Sequence, residues 1–427
     1  MEEQRYYLQR VVDDELGEFL EALPAVVLEG ARAVGKTRTA SRRARTIYTL
    51  DRPAHRTLAE ADPDHLLRGK RPILLDEWQE VSATWDAVRR AVDTDNRPGQ
   101  YLLTGSARPS TSPTHSGAGR IVTLRMRPLT LVERGVGTPS VSLHALLTGT
   151  RPPVEGGTEV SLEQYVQEIV ASGFPGLRGL RGRGLRAQLD GYLGRIVDRD
   201  FPGQGLVPRR PDTLWRWMTA YAAATSTVAS LETLRDAATA GQGEKPAKET
   251  AAAYRDILES LWILDPLPAW TPSKNYLSRL SHPPKHHLVD PALAVRLLGL
   301  DAAALLAGTE DGPPIPRDGS LLGHLFESLV TLSVRVFAQA AEAKVRHLRQ
   351  YSGAREIDLI VVRPDGRIVA IEVKLRSAIR DGDVATLKWL REQIGSDLLD
   401  AVVVSTGPHA YRRRDGIAVV PAALLGP

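Results

Sequence analysis

Eight consecutive residues, Gly30-Ala31-Arg32-Ala33-Val34-Gly35-Lys36-Thr37, follow the pattern G-x-x-x-x-G-K-[ST] in full. Glycine at its two fixed positions lets the backbone curl until its N–H groups converge on a phosphate. Lys36 sets a positive charge against the β- and γ-phosphate oxygens, and Thr37 offers a hydroxyl to Mg²⁺. All eight residues are therefore expected to contact nucleotide, with ATP and Mg²⁺ as cofactors. Further on, Ile73-Leu74-Leu75-Asp76-Glu77 is an apolar run ending in two acids. Asp76 is expected to hold Mg²⁺, directly or through water, and Glu77 to orient or deprotonate the attacking water. A third run, Tyr101-Leu102-Leu103-Thr104-Gly105-Ser106, ends in polar groups, so Thr104 or Ser106 is placed to sense the γ-phosphate.

A second constellation lies near the C-terminus. Asp358 sits on one apolar run, Glu372-Val373-Lys374 on the next, and Glu327 on a helical stretch before them. Period-two alternation puts Glu372 and Lys374 on one face of a strand, and a hairpin can bring Asp358 beside them. Glu327, Asp358 and Glu372 then form a candidate set of Mg²⁺ ligands. Glu372 and Lys374 could activate water or steady a developing phosphorane. A structural ion network and a solvent-facing set of charges remain open alternatives. Lysines carry information in this chain, because only 9 of its 55 basic residues are lysine.

The elements that must position these groups follow from periodicity. Residues 5–22 and 36–44 read as helices. The runs 25–28, 46–50, 73–75, 101–103 and 121–124 read as strands, with helical stretches between several of them, which implies a parallel sheet covered on both faces. Residues 106–119 are rich in Ser, Thr, Pro and Gly and read as a surface loop. Residues 136–315 read as mainly helical, with a flexible loop at 241–245. Residues 211–240 and 246–264 with a wing at 264–270 fit a winged helix, and a plain helical connector fits as well. Asp311-Gly312-Pro313-Pro314-Ile315-Pro316 marks a boundary. Beyond it the predicted order is helix 321–342, strands 344–350, 356–362 and 367–374, helix 384–394 and strand 401–404. Pro364-Asp365-Gly366 turns the second strand into the third. The expected domains are 1–135, 136–315 and 316–427.

Composition bounds the function. The 427 residues suit about two to three domains. No apolar run is expected to reach the roughly 20 residues that span a bilayer, so no membrane partner is expected. Met1-Glu2-Glu3-Gln4-Arg5 lacks a signal-peptide pattern, so no leader is expected there, and the absence of cysteine excludes disulfides and fits a cytoplasmic protein. A net charge of +4 permits nucleic-acid binding without arguing for it.

Residues 5–135 resemble the AAA-type ATPase domain of a large group of bacterial and archaeal proteins whose C-terminal half is classed as a domain of unknown function. The resemblance rests on 30–37, on Asp76-Glu77, on Leu103-Thr104-Gly105-Ser106 with Gly119-Arg120, and on Leu129-Thr130-Leu131-Val132-Glu133, which is similar to Pro-Leu-Ser-x-x-Glu. Ser172-Gly173-Phe174-Pro175 is similar to a Gly-Gly-Phe-Pro box, and 285–300 to a Lys-x-x-x-x-Asp-x-x-Leu stretch around Asp290. Within this resemblance Arg120 is the candidate arginine finger, with Arg125 and Arg127 as rivals, and fingers of this kind reach a neighbouring subunit of a homo-oligomer. The C-terminal constellation resembles the PD-(D/E)XK nucleases, although the stretch Gly353-Ala354-Arg355-Glu356-Ile357-Asp358 matches the group's Arg-x-x-Glu-Ile-Asp only loosely at its start. The resemblance implies a restriction-endonuclease-like domain, active or silent, with DNA as polymer partner. The fold expected is α/β: a P-loop parallel sheet with flanking helices, a helical middle and this C-terminal domain.

Overall fold

The computed structural model describes residues 7–106, 116–208, 210–239, 245–272, 282–307, 319–350 and 355–427. Most of the 106–119 and 241–245 loops, the 311–316 boundary and Gly353-Ala354 lie outside the described residues.

The first apolar runs form β1 (Ala25–Glu29), β2 (Thr46–Thr49), β3 (Ile73–Asp76), β4 (Tyr101–Gly105) and β5 (Ile121–Arg125), in the order β2-β3-β4-β1-β5. All are parallel. A parallel sheet is buried on both faces, and alternate residues of these strands enter separate cores. Ala25, Val27, Leu75 and Leu103 pack with Ala59 and Val88 of helices Pro53–Ala61 and Ala83–Thr94. Val26, Leu28, Leu74 and Leu102 face the large core shared with helix Val12–Ala22 and the rest of the chain. Because β4 separates β1 from β3, Thr104 stands between Leu28 and Asp76 in register.

The stretch expected to open the helical middle instead joins the C-terminal domain. β6 (Val141–Ser142) and β7 (Gly156–Gly157) pair with strands from the far end of the chain. The middle that follows is helical, with Leu162–Ala171, Gly182–Arg195, Pro211–Ala223, Leu231–Thr239, Lys248–Ser260 and Pro291–Leu297. After Lys248–Ser260 the chain forms antiparallel bridges, Leu264 with Leu288 and Leu267 with Lys285. This pair sits where a wing was expected, but it is not free. Ala269 bridges to His347, and Trp270 N donates to His347 O at 2.6 Å.

The C-terminal sheet contains β8 (Lys344–Arg349), β9 (Glu356–Val362), β10 (Ile368–Lys374), β11 (Leu398–Ser405), β12 (His409–Arg412) and β13 (Ala418–Pro421). Its order is β7-β12-β13-β11-β10-β9-β8, and β14 (Leu425–Gly426) pairs with β6. β8, β9 and β10 form an antiparallel meander, while β11 returns parallel to β10 after helix Ala385–Ile394. Helix Gly319–Ala340 packs against β8, β9 and β10. One expectation needs correction here. Leu321–Ala340 is long and apolar enough to cross a membrane by length and composition, and 72% of its most apolar window is buried inside the chain, as in a core helix.

One buried carboxylate ties these parts together. Asp265 pairs with Arg125 at 3.1 Å and Arg127 at 2.9 Å beside the first sheet, and with Arg335 of helix Gly319–Ala340 at 3.0 Å. Burial pushes the carboxyl up, but the three guanidinium groups outweigh it and hold it well below the usual range. Removing one partner of a buried ion network leaves charge uncompensated. Asp265→Ala is therefore expected to cost about 3–5 kcal/mol of stability, read from denaturant midpoints. A variant as stable as the parent would show that the arginines find other partners.

Candidate nucleotide site and C-terminal ion cluster

β1 ends at Glu29 and the loop begins with Gly30 at φ +154°, where a Cβ would lie 2.1 Å from Met126 O. Only glycine fits there. The loop then opens helix Lys36–Ser41. Lys36 Nζ donates to the carbonyl oxygens of Gly30 at 2.8 Å and Ala31 at 2.9 Å. Burial lowers this amine to about 8 against the pull of Glu77 and Asp76. Phosphate oxygens in the loop would take over these contacts and favour the charged amine.

Thr37 Oγ1 donates to Asp76 Oδ1 at 2.7 Å, and Thr104 Oγ1 donates to the same oxygen at 2.5 Å. Burial raises the Asp76 carboxyl, partly offset by these two hydroxyls. A hydroxyl and a buried carboxylate meeting at the end of β3 are hard oxygen donors that fit Mg²⁺. Glu77 adopts φ 56° and ψ 47°, a left-handed conformation costing a non-glycine residue about 1–2 kcal/mol. Its carboxylate accepts hydrogen bonds from Ser106 Oγ at 2.9 Å and from Gln79 Nε2. The strands thus divide the sensing candidates: Thr104 braces Asp76 and Ser106 braces Glu77.

A cavity of about 350 Å³ lies over this loop, lined by Ala33, Gly35, Lys36, Thr37 and Glu77 and also by Tyr7, Leu8, Pro175 and Gly176. Those last four were not anticipated as nucleotide contacts, although the Ser172-Gly173-Phe174-Pro175 box pointed to the region. The box is held by Asp290, which accepts from Ser172 Oγ at 3.0 Å, Gly173 N at 2.6 Å and Ala292 N at 2.8 Å. Arg10 braces the loop from below. It pairs with Glu133 at 2.9 Å and donates to Val34 O at 2.8 Å and Arg127 O at 2.6 Å. Arg32 is half-exposed and pairs with Asp200 of the helical middle at 3.0 Å.

The candidate fingers fall elsewhere. β5 runs in register with β1, Ile121 beside Ala25 and Arg125 beside Glu29. Arg120 is thus about 16 Å along the strand from the loop end, by strand rise alone. It pairs instead with Asp93 at 2.8 Å on the surface. Arg120 does not join the chain's own nucleotide site, and a finger role is left only in a neighbour's site. Arg125 and Arg127 are committed to Asp265.

In the C-terminal domain, β9 and β10 pair so that continuing their register sets Asp358 opposite Glu372. Asp358 Oδ2 accepts from Val373 N at 2.9 Å, and Lys374 Nζ pairs with Glu372 Oε1 at 2.6 Å. At the centre stands a residue that sequence reasoning left out of the cluster. Lys285 Nζ contacts Glu327 Oε1 at 2.8 Å, Glu356 Oε1 at 2.7 Å and Asp358 Oδ1 at 3.0 Å. Burial alone would lower this amine, but Asp358, Glu327 and Glu356 hold it well above its ordinary range. Burial and the Asp358 charge push the carboxyl groups of Glu327 and Glu372 up to about 8. Glu327, Asp358 and Glu372 were expected as metal ligands, and the structure brings them together around an ammonium. Among the described residues no group of three or more His, Asp or Glu side chains is arranged to hold a metal ion.

Residues 23–134 match the family described as AAA domain. The match supports a P-loop ATPase of the AAA type, with ATP binding and hydrolysis. Residues 162–304 and 322–425 match two domains of unknown function, DUF8612 and DUF4143. Uncharacterized proteins of Mycobacterium tuberculosis and Mycobacterium bovis are each 26% identical over 423 residues, covering 94% of this chain and 81% of the relative. Among solved structures, the Walker-type ATPase PABY2304 of Pyrococcus abyssi is 16% identical, with TM-score 0.40, covering 69% of this chain and 96% of that one. The ORC2 protein of Aeropyrum pernix, in ADPNP–ADP complexes, is 14% identical with TM-score 0.30, covering 69% of this chain and 94% of that one.

The position of Arg120 generates a test. Mixing Arg120→Ala protein with Lys36→Ala protein is expected to restore ATP turnover, because an intact loop in one subunit meets an intact finger from the other. Two variants that assemble but never complement each other would remove Arg120 from the reaction.

Proposed function

We propose that the chain is a Mg²⁺-dependent ATP hydrolase whose helical middle closes over the nucleotide. The observation carrying this is the convergence of Lys36, Thr37, Asp76 and Glu77 at the ends of β1 and β3. Bound Mg²⁺ would neutralise charge between the β- and γ-phosphates, with Thr37 and Asp76 as its protein ligands. Glu77, fixed by Ser106 and Gln79, accepts a proton from the attacking water or aligns it. Lys36 steadies the charge that builds on the phosphoryl oxygens. Tyr7, Leu8, Pro175 and Gly176 supply an apolar border suited to the nucleoside. Lys36→Ala is expected to abolish ATP binding in calorimetric titration with the fold intact. Glu77→Gln should bind ATP normally but hydrolyse it at least about 100-fold more slowly in a single cycle. Unchanged affinity in the first or near-normal turnover in the second would sink the assignment.

A second reading concerns the C-terminal domain, and the seat of Lys285 favours it. The helix, three-stranded meander, helix and parallel strand follow the order of a restriction-endonuclease-like core, with Asp358, Glu372 and Lys374 at the motif positions. We infer that this domain is nuclease-like in topology and silent in the form described, acting as a docking module driven by the ATPase, with DNA as its polymer partner. Incubating the protein with DNA, ATP and Mg²⁺ or Mn²⁺ tests this. DNA-stimulated phosphate release with DNA length unchanged is the expected result. Cutting that depends on Lys374 would overturn the silent reading, and hydrolysis indifferent to DNA would remove DNA as partner.

A further inference from the structure

Four carboxylates crowd one point in the C-terminal domain, and a side chain from outside that domain fills it. Glu327 comes from helix Gly319–Ala340, Glu356 and Asp358 from β9, and Glu372 from β10. Lys285, at 0% exposure, arrives from the strand pair that follows the helical middle. An ammonium has three N–H donors, and this one spends all three, on Glu327, Glu356 and Asp358 at 2.7–3.0 Å. Mg²⁺ holds such oxygens at about 2.1 Å, so a small inward shift would close the same three groups on an ion.

Two observations outside those contacts point to a cation seat. Glu372 is buried at 8% exposure, and its Oε2 has no hydrogen-bond partner among the described residues. It lies close enough for the charges of Asp358 and Lys285 both to act on its carboxyl group. This leaves an oxygen ready for a ligand that the lysine, with its donors used, cannot serve. In addition, the filler is a lysine in a chain where only 9 of 55 basic residues are lysine. A guanidinium is a planar fork, whereas an ammonium is a compact point charge and mimics an ion.

The geometry points to a divalent-cation seat shut by the chain's own Lys285, which excludes Mg²⁺ and Mn²⁺ until the amine is withdrawn. The inference rests on the silent reading of the C-terminal domain. Withdrawal has a physical route. Lys285 and Asp290 lie on one short stretch, whose first residue plugs the seat and whose last holds the box lining the nucleotide cavity. That stretch is bonded to the helical middle, with Ser226 N donating to His286 O at 2.7 Å and His286 N to Thr227 O at 2.8 Å. A nucleotide that moves the box therefore pulls on the strand that carries the plug.

Mn²⁺ titration of nucleotide-free protein, followed by electron paramagnetic resonance, tests the seat. Lys285→Met is expected to bind a single Mn²⁺ at least about tenfold more tightly than the parent and to lose it when Asp358→Asn is added. A folded Lys285→Met protein that takes up no more Mn²⁺ than the parent overturns the inference. If that variant does not fold, the titration is repeated on Lys285→Met/Glu356→Gln, which removes one charge of each sign and leaves Glu327, Asp358 and Glu372. A folded double variant without Mn²⁺ overturns it equally. The two readings fail separately: DNA cutting by the nucleotide-free parent ends the silent reading and the plug with it, whereas Mn²⁺-blind variants end only the plug.

Discussion

The architecture depends on how it satisfies one buried anion. Asp265 gathers Arg125 and Arg127 from beside the ATPase sheet and Arg335 from the long C-terminal helix. A lone charge in such a place is costly, so the carboxylate stays only if its partners are close and well directed. Two of the three partners bond further: Arg335 donates to the carbonyls of Asp265 and Pro266, and Arg127 reaches Gln339. The ATPase sheet, the wing-like pair and the C-terminal helix are thereby set against one another. The same network explains why Arg125 and Arg127 are poor fingers, since releasing either would strand Asp265.

A second constraint links the two chemical centres. The helix Pro291–Leu297 begins just after Asp290 and is tied to helix Gly182–Arg195 through Arg296 and Asp190, at 2.8 Å for the longer contact. That second helix runs into the π-helical turn Ile196–Asp200, and Asp200 holds Arg32 of the phosphate loop. The middle region therefore touches the nucleotide site twice, through Arg32 and through the box beneath Asp290. It touches the C-terminal cluster once, through Lys285. These are contiguous packed elements of the kind that can carry two-state coupling, provided the nucleotide binds one arrangement better than the other.

What could be read from the sequence was local. The phosphate loop, the acids ending β3 and the Pro364–Gly366 turn declare themselves within a few residues, because glycine geometry, strand alternation and turn chemistry act at that range. Long-range placement could not be read in the same way. Arg120 resembles a finger in the sequence, but only strand register shows that it lies at the far end of β5 from its own chain's loop. Residues 141–157 looked like part of the middle, but β6 and β7 are too short to signal strands and find their partners far along the chain, Val141 beside Leu425 and Gly157 beside His409. Lys285 stands 42 and 73 positions from Glu327 and Asp358, so only the folded chain could place it among them. Two hints were available: the Lys-x-x-x-x-Asp resemblance begins at Lys285, and the scarcity of lysine applied to it as much as to Lys36 and Lys374.

The C-terminal cluster can be understood by counting charge. Glu327 and Glu372, pushed up to about 8, retain protons near neutral pH, burial being the chief cause in both. That leaves Glu356 and Asp358 facing Lys285 and Lys374, with Arg349 a further cation on Glu356 at 3.2 Å. In the form described the chain's own cations therefore offset the negative charge of the site without any ion from solution. A nuclease site needs the opposite condition, an excess of negative charge that only a metal can relieve. By supplying one of these positive charges from outside the domain, the chain makes the state of this site depend on the position of the middle region as well as on the domain's own residues.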